Sequence, residues 1–292
     1  MTAAGLRSRV VDVYATLIVV AVLWGAVTGR LLPRAAYRLS VEPEDEWRDG
    51  CPAGHPITGP ARGWLGGAGC ATCDAAAPSA TRPSRTRWWP GTGTGGQESP
   101  GAGAPADGVR VPYAPSIPVT VIAVLVCAAL AASTGPRPEL AVWLLLAPFA
   151  LLLALVDRNV HRLPDRLTLP LAAAAAALLG PAALLPGDGG SWPTALLGGV
   201  VLGACYFALF VINPRGMGFG DVKLALSLGV ALGWYGWPVL FTGAFAGFLL
   251  GSLYGLGLML LRRASRKSAI PFGPFMILGA LLGIVLGGLA AA

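Results

Sequence analysis

The 292-residue chain is 55% hydrophobic and only 12% charged, about half the charged share of an ordinary soluble domain. That balance excludes a soluble globular enzyme. The net charge of +7 does not mark a nucleic-acid binder, because the basic residues are scattered among apolar runs and form no stripe with interleaved aromatics. They read as a membrane-topology signal, which leaves lipids and no nucleic acid as surroundings.

A bilayer core about 30 Å thick needs roughly 20 apolar residues per crossing helix. In chain order the candidate runs lie near 10–30, 117–134, 138–156, 167–186, 192–213, 221–236, 237–261 and 270–291, the sixth being short. The first follows Arg7 and Arg9, as a secretory signal would, yet Arg30, Arg34 and Arg38 come after it with no small-residue cleavage site, so a retained helix is expected. After it comes a segment at 32–76 with the acids Glu42, Glu44, Asp45 and Glu46 and the cysteines Cys51, Cys70 and Cys73. The stretch 77–116, rich in Pro, Gly, Ser, Thr and Ala, reads as a flexible linker. Cys127 and Cys205 fall inside apolar runs as small packing residues.

An even number of helices puts both termini on one side. One set of alternate loops holds Arg158, Arg162, Arg166, Arg215, Lys223, Arg262, Arg263, Arg266 and Lys267, while the other set beyond residue 130 holds Arg137. The positive-inside rule assigns the first set, and with it the insert, to the cytoplasm. The expected fold is an all-α polytopic membrane protein, a bundle of about eight transmembrane helices with a partly disordered cytoplasmic insert. Its parts are a first helix at 1–31, a degenerate cysteine-containing insert at 32–76, a linker at 77–116 and a seven-helix membrane domain at 117–292. Glycines every four residues, Gly243 to Gly255 and Gly279 to Gly287, predict close helix packing.

Beyond residue 130 the acidic residues are Glu139, Asp157, Asp165, Asp188 and Asp221. Glu139 and Asp188 read as solvated outer-loop residues. Asp157 and Asp221 each fall where a predicted helix meets the cytoplasmic interface, where a carboxylate is costly unless paired or wetted. Three glycines in Gly216-Met-Gly218-Phe-Gly220 free the backbone beside Asp221 for a close approach. The loop lacks the GKS/T ending of a phosphate-binding P-loop. Two carboxylates brought together share one proton; the charged member can activate water, and its partner can donate to the oxyanion and the leaving amine. The residues by themselves leave three other readings open: helix-end charges paired with Arg158, Arg162 or Lys223, a transporter's proton relay, and a noncatalytic membrane scaffold.

Gly218-Phe219-Gly220-Asp221 matches the GxGD motif of membrane aspartic peptidases, and Gly216 to Leu224 resembles its form in bacterial prepilin peptidases, the type IV leader peptidases. Asp157, seven residues before Pro164-Asp165, is similar to that family's first catalytic segment, and Ile270-Pro-Phe-Gly-Pro-Phe275 to the segment opening its last helix. The resemblance implies that Asp157 and Asp221 form the catalytic pair, with Gly218, Gly220, Lys223 and Pro164 as supporting motif residues and Asp165 as local structure. It implies cleavage of the basic leader from type IV pilin or pseudopilin precursors at the cytoplasmic face of the bacterial inner membrane, in protein secretion and pilus assembly, with no metal needed for proteolysis. Arg158, Arg162 and Arg166 sit oddly beside a basic leader and are assigned to topology.

Residues Gly29-Arg30 through Tyr37-Arg38-Leu39 look like a worn form of the family's segment after its first helix. A cytoplasmic domain with two C-x-x-C pairs follows in full-length members. Here Cys51, His55, Cys70 and Cys73 supply four residues able to bind tetrahedral zinc, but the first pair is broken: Gly54 stands where its second cysteine is expected, and His55 lies one position beyond. That departure counts against S-adenosylmethionine use and N-methyl transfer.

Overall fold

The computed structural model describes residues 3–41, 46–67, 69–70, 72–73, 116–214, 216–261 and 270–291. Residues 77–115 of the expected linker, the acids Glu42, Glu44 and Asp45, and the loop cations Arg215, Arg262, Arg263, Arg266 and Lys267 lie outside them. Eight long helices follow one another: α1 (Ala3–Leu39), α2 (Ser116–Thr134), α3 (Glu139–Val160), α4 (Asp165–Ala182), α5 (Trp192–Ile212), α6 (Phe219–Gly233), α7 (Trp237–Leu260) and α8 (Gly273–Ala290). A four-residue turn, Pro60–Gly63, lies in the insert.

Six of the eight, all but α4 and α6, are long and apolar enough by length and composition to cross a membrane. The protein is a polytopic helical bundle, and the two helices outside that set are the ones that carry Asp165 and Asp221. With 15 residues, α6 reaches only about 22 Å, less than the hydrocarbon thickness. It can be short because it lies inside the protein: every residue from Leu228 to Gly233 is buried, and α4, α5, α7 and α8 surround it.

Glycines set the closest contacts. A Cβ on Gly198 of α5 would lie 2.6 Å from the Gly229 carbonyl of α6, and one on Gly279 of α8 would lie 2.4 Å from the Gly247 nitrogen of α7. Backbones this close maximise dispersion contact where lipid offers no hydrophobic drive to association. The glycine stripe on α7 and α8 thus acts in packing, as its spacing predicts.

Helix α1 runs well past the expected end near residue 30. At 37 residues it extends about 55 Å, far beyond a bilayer core. Its last turns hold the insert: Arg34 donates to the carbonyls of Thr58 (2.9 Å) and Gly67 (3.2 Å), Arg38 donates to Arg62 O (2.9 Å) and pairs with Asp49, and the Arg38 guanidinium lies 4.3 Å from the Trp64 ring centroid. A change from lipid to polar surroundings does not stop a helix, so cations that looked like a terminus are the anchor of the next domain.

Glu139 is not a solvated loop residue. It opens α3 with 0% exposure, beside Arg137 (3.8 Å), and accepts a hydrogen bond from the Gly189 backbone (3.2 Å). Arg137 also donates to the Gly288 carbonyl (2.9 Å). The α2–α3 and α4–α5 connections therefore close over the carboxylate at this end of the bundle. Asp188 is exposed, as expected.

Candidate active site

Asp157 occupies the last turn of α3, and Asp221 the first turn of α6, at the same end of the bundle. They are 4% and 7% exposed, and they lie close enough to feel each other's charge. Among the described residues no salt bridge joins either one to a cation. Lys223 instead pairs with Asp165 at 2.6 Å and lies over the Phe219 ring. That contact gives Asp165 its local role and takes away one of the cations that could have neutralised Asp221.

Backbone N–H groups hold the two carboxylates. Asp221 Oδ2 accepts from Gly218 N at 3.2 Å, while Asp221 N donates to Gly218 O at 3.0 Å, a tight reciprocal turn at the start of α6. Asp157 Oδ2 accepts from Gly273 N, the first residue of α8, at 2.9 Å. The motif glycines differ in what they do. A Cβ on Gly220 would lie 3.0 Å from the Leu163 side chain, so its smallness lets the α3–α4 segment approach Asp221, whereas one on Gly218 would find only ordinary contacts. Pro164 precedes α4 in extended conformation and its carbonyl accepts from Leu167 N and Thr168 N, so it turns the chain from Asp157 into α4.

Both carboxylates line one open cleft of about 2000 Å³. Its other walls come from the α3–α4 segment, the glycine loop before α6, the Phe248–Met259 stretch of α7, the Ile270–Phe272 segment and, from the insert, Glu46, Trp47 and Asp49. The sequence carried no sign of that last wall. It is fastened by Arg166, whose guanidinium lies 5.1 Å from the Trp47 ring centroid, and by Asn159, which donates to Ser40 Oγ at 3.1 Å. Behind the pair sits Tyr206, 3% exposed, near Asp221 and packed against Phe248 (5.3 Å) and Phe272 (6.4 Å). His161, at the end of α3, takes a left-handed backbone (φ 53°), and its N–H donates to Asp157 O at 2.7 Å.

The insert holds a second constellation. Ligand atoms of Cys51, His55, Cys70 and Cys73 all lie within 4.8 Å of one another, with His55 Nδ1 3.2 Å from Cys73 Sγ and 3.5 Å from Cys51 Sγ, and the Cys51 and Cys73 sulfurs 3.7 Å apart. Zinc bonds of about 2.3 Å to sulfur and 2.0 Å to nitrogen in a tetrahedron place ligands roughly 3.5–3.8 Å apart, so the group could hold zinc. The wide Cys51–His55 spacing is absorbed by a turn in which Gly54 has φ 82° and Cys51 and His55 pair through their backbones at 2.8 Å. The Cys73 backbone N–H, donating to Cys70, draws that thiol down to about 6; partial burial and then the neighbouring Cys51 thiol push Cys73 up to about 12.

The bundle, with two buried aspartates at one end of it, defines a polytopic membrane protein. Residues 144–289, half of the chain, match the type IV leader peptidase family, and the chain belongs to that family. It is similar to proteins named prepilin leader peptidase/N-methyltransferase. That of Aeromonas salmonicida is 34% identical over 152 residues (50% of this chain, 47% of the relative), and that of Aeromonas hydrophila is 32% identical over 184 residues (62% and 61%). A third, from Pseudomonas putida, is 34% identical over 161 residues (52% of each). The chain thus spans about half the length of most curated relatives it matches. No solved structure matches it significantly.

Proposed function

We propose that the protein is a prepilin peptidase, an aspartic endopeptidase in which Asp157 and Asp221 together activate water and protonate the leaving amine of a pilin-like precursor. The observation that carries this reading is the pair itself: two buried carboxylates in one cleft, close enough to feel each other's charge and with no salt bridge to a cation among the described residues. Carboxylates so placed titrate as a unit and hold one proton between them, as acid–base hydrolysis of an amide requires. The catalytic end faces the cytoplasm in this reading, supported by the cations of the α3–α4 segment and the positive-inside rule.

The cleft carries charges of both signs. Its lining includes Glu46, Asp49, Asp157, Asp165 and Asp221 against Arg162, Arg166 and Lys223, in a chain of net charge +7. Arg166 rests on Trp47 and Lys223 on Asp165, and Arg158 is not part of the lining, while Arg162 shares it with the pair. A proton-relay transporter would carry broken helices near the bilayer midplane, whereas both aspartates lie in terminal turns.

Within this reading residues 117–292 are the peptidase domain, and zinc in the insert is a structural crosslink held by Cys51, His55, Cys70 and Cys73. The proposal covers proteolysis and leaves N-methyl transfer out, because the insert departs from the two-pair cysteine pattern. Coexpression with pilin-like precursors, with the mature N-terminus read by mass spectrometry, tests both halves. Processing should vanish with Asp157→Asn and with Asp221→Asn. Equal trimming by both variants would overturn the assignment, and a methylated terminus would restore the second activity.

A further inference from the structure

Beyond the two aspartates and the glycine loop, the Ile270–Phe275 segment has so far been given no task. Its sequence controls which backbone donors are available at the start of α8. Helix starts leave several N–H groups without intrahelical partners. Here Pro274 has none to offer, and Phe275 N and Met276 N both turn back to Phe272 O, at 3.1 and 3.2 Å. Gly273 N is left directed outward, and it meets Asp157 Oδ2 at 2.9 Å in a buried contact between residues 116 positions apart.

The side chain that Gly273 lacks matters as much. A Cβ there would lie 2.8 Å from Asp157 Oδ2, 3.2 Å from its Cγ and 3.4 Å from its Cβ. The obstructed atoms belong to the free end of a side chain, so an added methyl group is accommodated by turning the carboxylate rather than by parting the helices. The segment itself is held firmly: Phe272 packs on Phe248 at 5.0 Å and on Tyr206 at 6.4 Å, and Phe275 packs on Tyr254 at 5.1 Å.

We propose that Gly273 is a positioning residue for Asp157: its N–H fixes one carboxylate oxygen, and its missing side chain leaves the space in which that carboxylate faces Asp221. The pairing of the two carboxylates is thereby set by a third helix that carries neither. Displacement of a reacting group by about 1 Å costs on the order of 100-fold in rate, and a turned carboxylate is such a displacement.

The kinetic arm of the test rests on the peptidase reading. With the full chain in detergent and a precursor peptide as substrate, Gly273→Ala should lower kcat about 100-fold with little change in KM. Phe272→Leu, which loosens the same segment without touching Asp157, should cause a smaller fall in kcat. Gly287→Ala, whose Cβ meets the Tyr235 ring at the far end of α8, should lower the melting temperature and leave kcat of the folded fraction unchanged. A second arm needs no turnover: carbodiimide labelling, read by mass spectrometry, should change severalfold at Asp157 in Gly273→Ala and little at Asp221. Unchanged Asp157 labelling, or a kcat equal to that of the parent, overturns the proposal. If the parent cuts no precursor but the labelling shifts, the positioning role stands and the peptidase reading falls.

Discussion

The two ends of the bundle both bury carboxylates, and they treat them in opposite ways. At one end Glu139 is fully enclosed beside Arg137, and two connections close over it. At the other, Asp157 and Asp221 receive backbone N–H groups and, among the described residues, no cation, and they open onto a large cleft. A buried carboxylate with a guanidinium at hand has its charge compensated and serves the fold. Two that share one cleft, with no salt bridge to a cation among the described residues, can hold a proton between them, which is the property the proposed peptidase would use. Partner and access, more than burial, separate structure from chemistry here.

The largest expected effect breaks the comparison at the cleft end. Asp157→Asn and Asp221→Asn should each lower cleavage about 10³-fold while leaving thermal unfolding in detergent unchanged; a residual rate within tenfold would sink the pair. Next comes the enclosed end, where Glu139→Leu strands Arg137 and should cost about 3 kcal/mol of stability. The double variant Arg137→Leu/Glu139→Leu should recover most of that loss, with kcat of the folded fraction near the parent value throughout, since neither residue reaches the cleft.

A subtler contrast lies within the GxGD string. Gly220→Ala presses on Leu163 and should cost about 1 kcal/mol together with part of the activity, whereas Gly218→Ala should be close to silent in both assays. The smallest effect belongs to Lys223→Met. Its partner Asp165 is 61% exposed, so the loss should stay near 0.5 kcal/mol.

Much of this was readable from the chain. Eight apolar runs located the eight helices, and the scarcity of acids beyond residue 130 singled out Asp157 and Asp221. Helix ends were less legible, because α1 keeps its hydrogen-bonding pattern past Arg30 while its surroundings change from lipid to protein. Glu139 was misjudged for a related reason. Its neighbours in sequence are loop-like, and the residue that covers it, Gly189, comes fifty positions later. The nearest available signal was Arg137, a lone outer-loop cation two residues away. The wall formed by Glu46, Trp47 and Asp49 and the donor Gly273 had no local signature, since each depends on where a distant segment docks.

That docked wall bears on how the molecule can be cut down. A fragment starting at Ser116 would retain the matched family region and both aspartates, yet it would lose α1, which packs along α2, and with it one bank of the cleft. Under the proposed peptidase reading, peptides would then reach the aspartates from the side that Glu46, Trp47 and Asp49 occupy in the intact chain. On that reading a chain that keeps α1 but lacks the docked residues should cut with poorer discrimination, and the appendage that looks dispensable in the sequence would be part of how a substrate is selected.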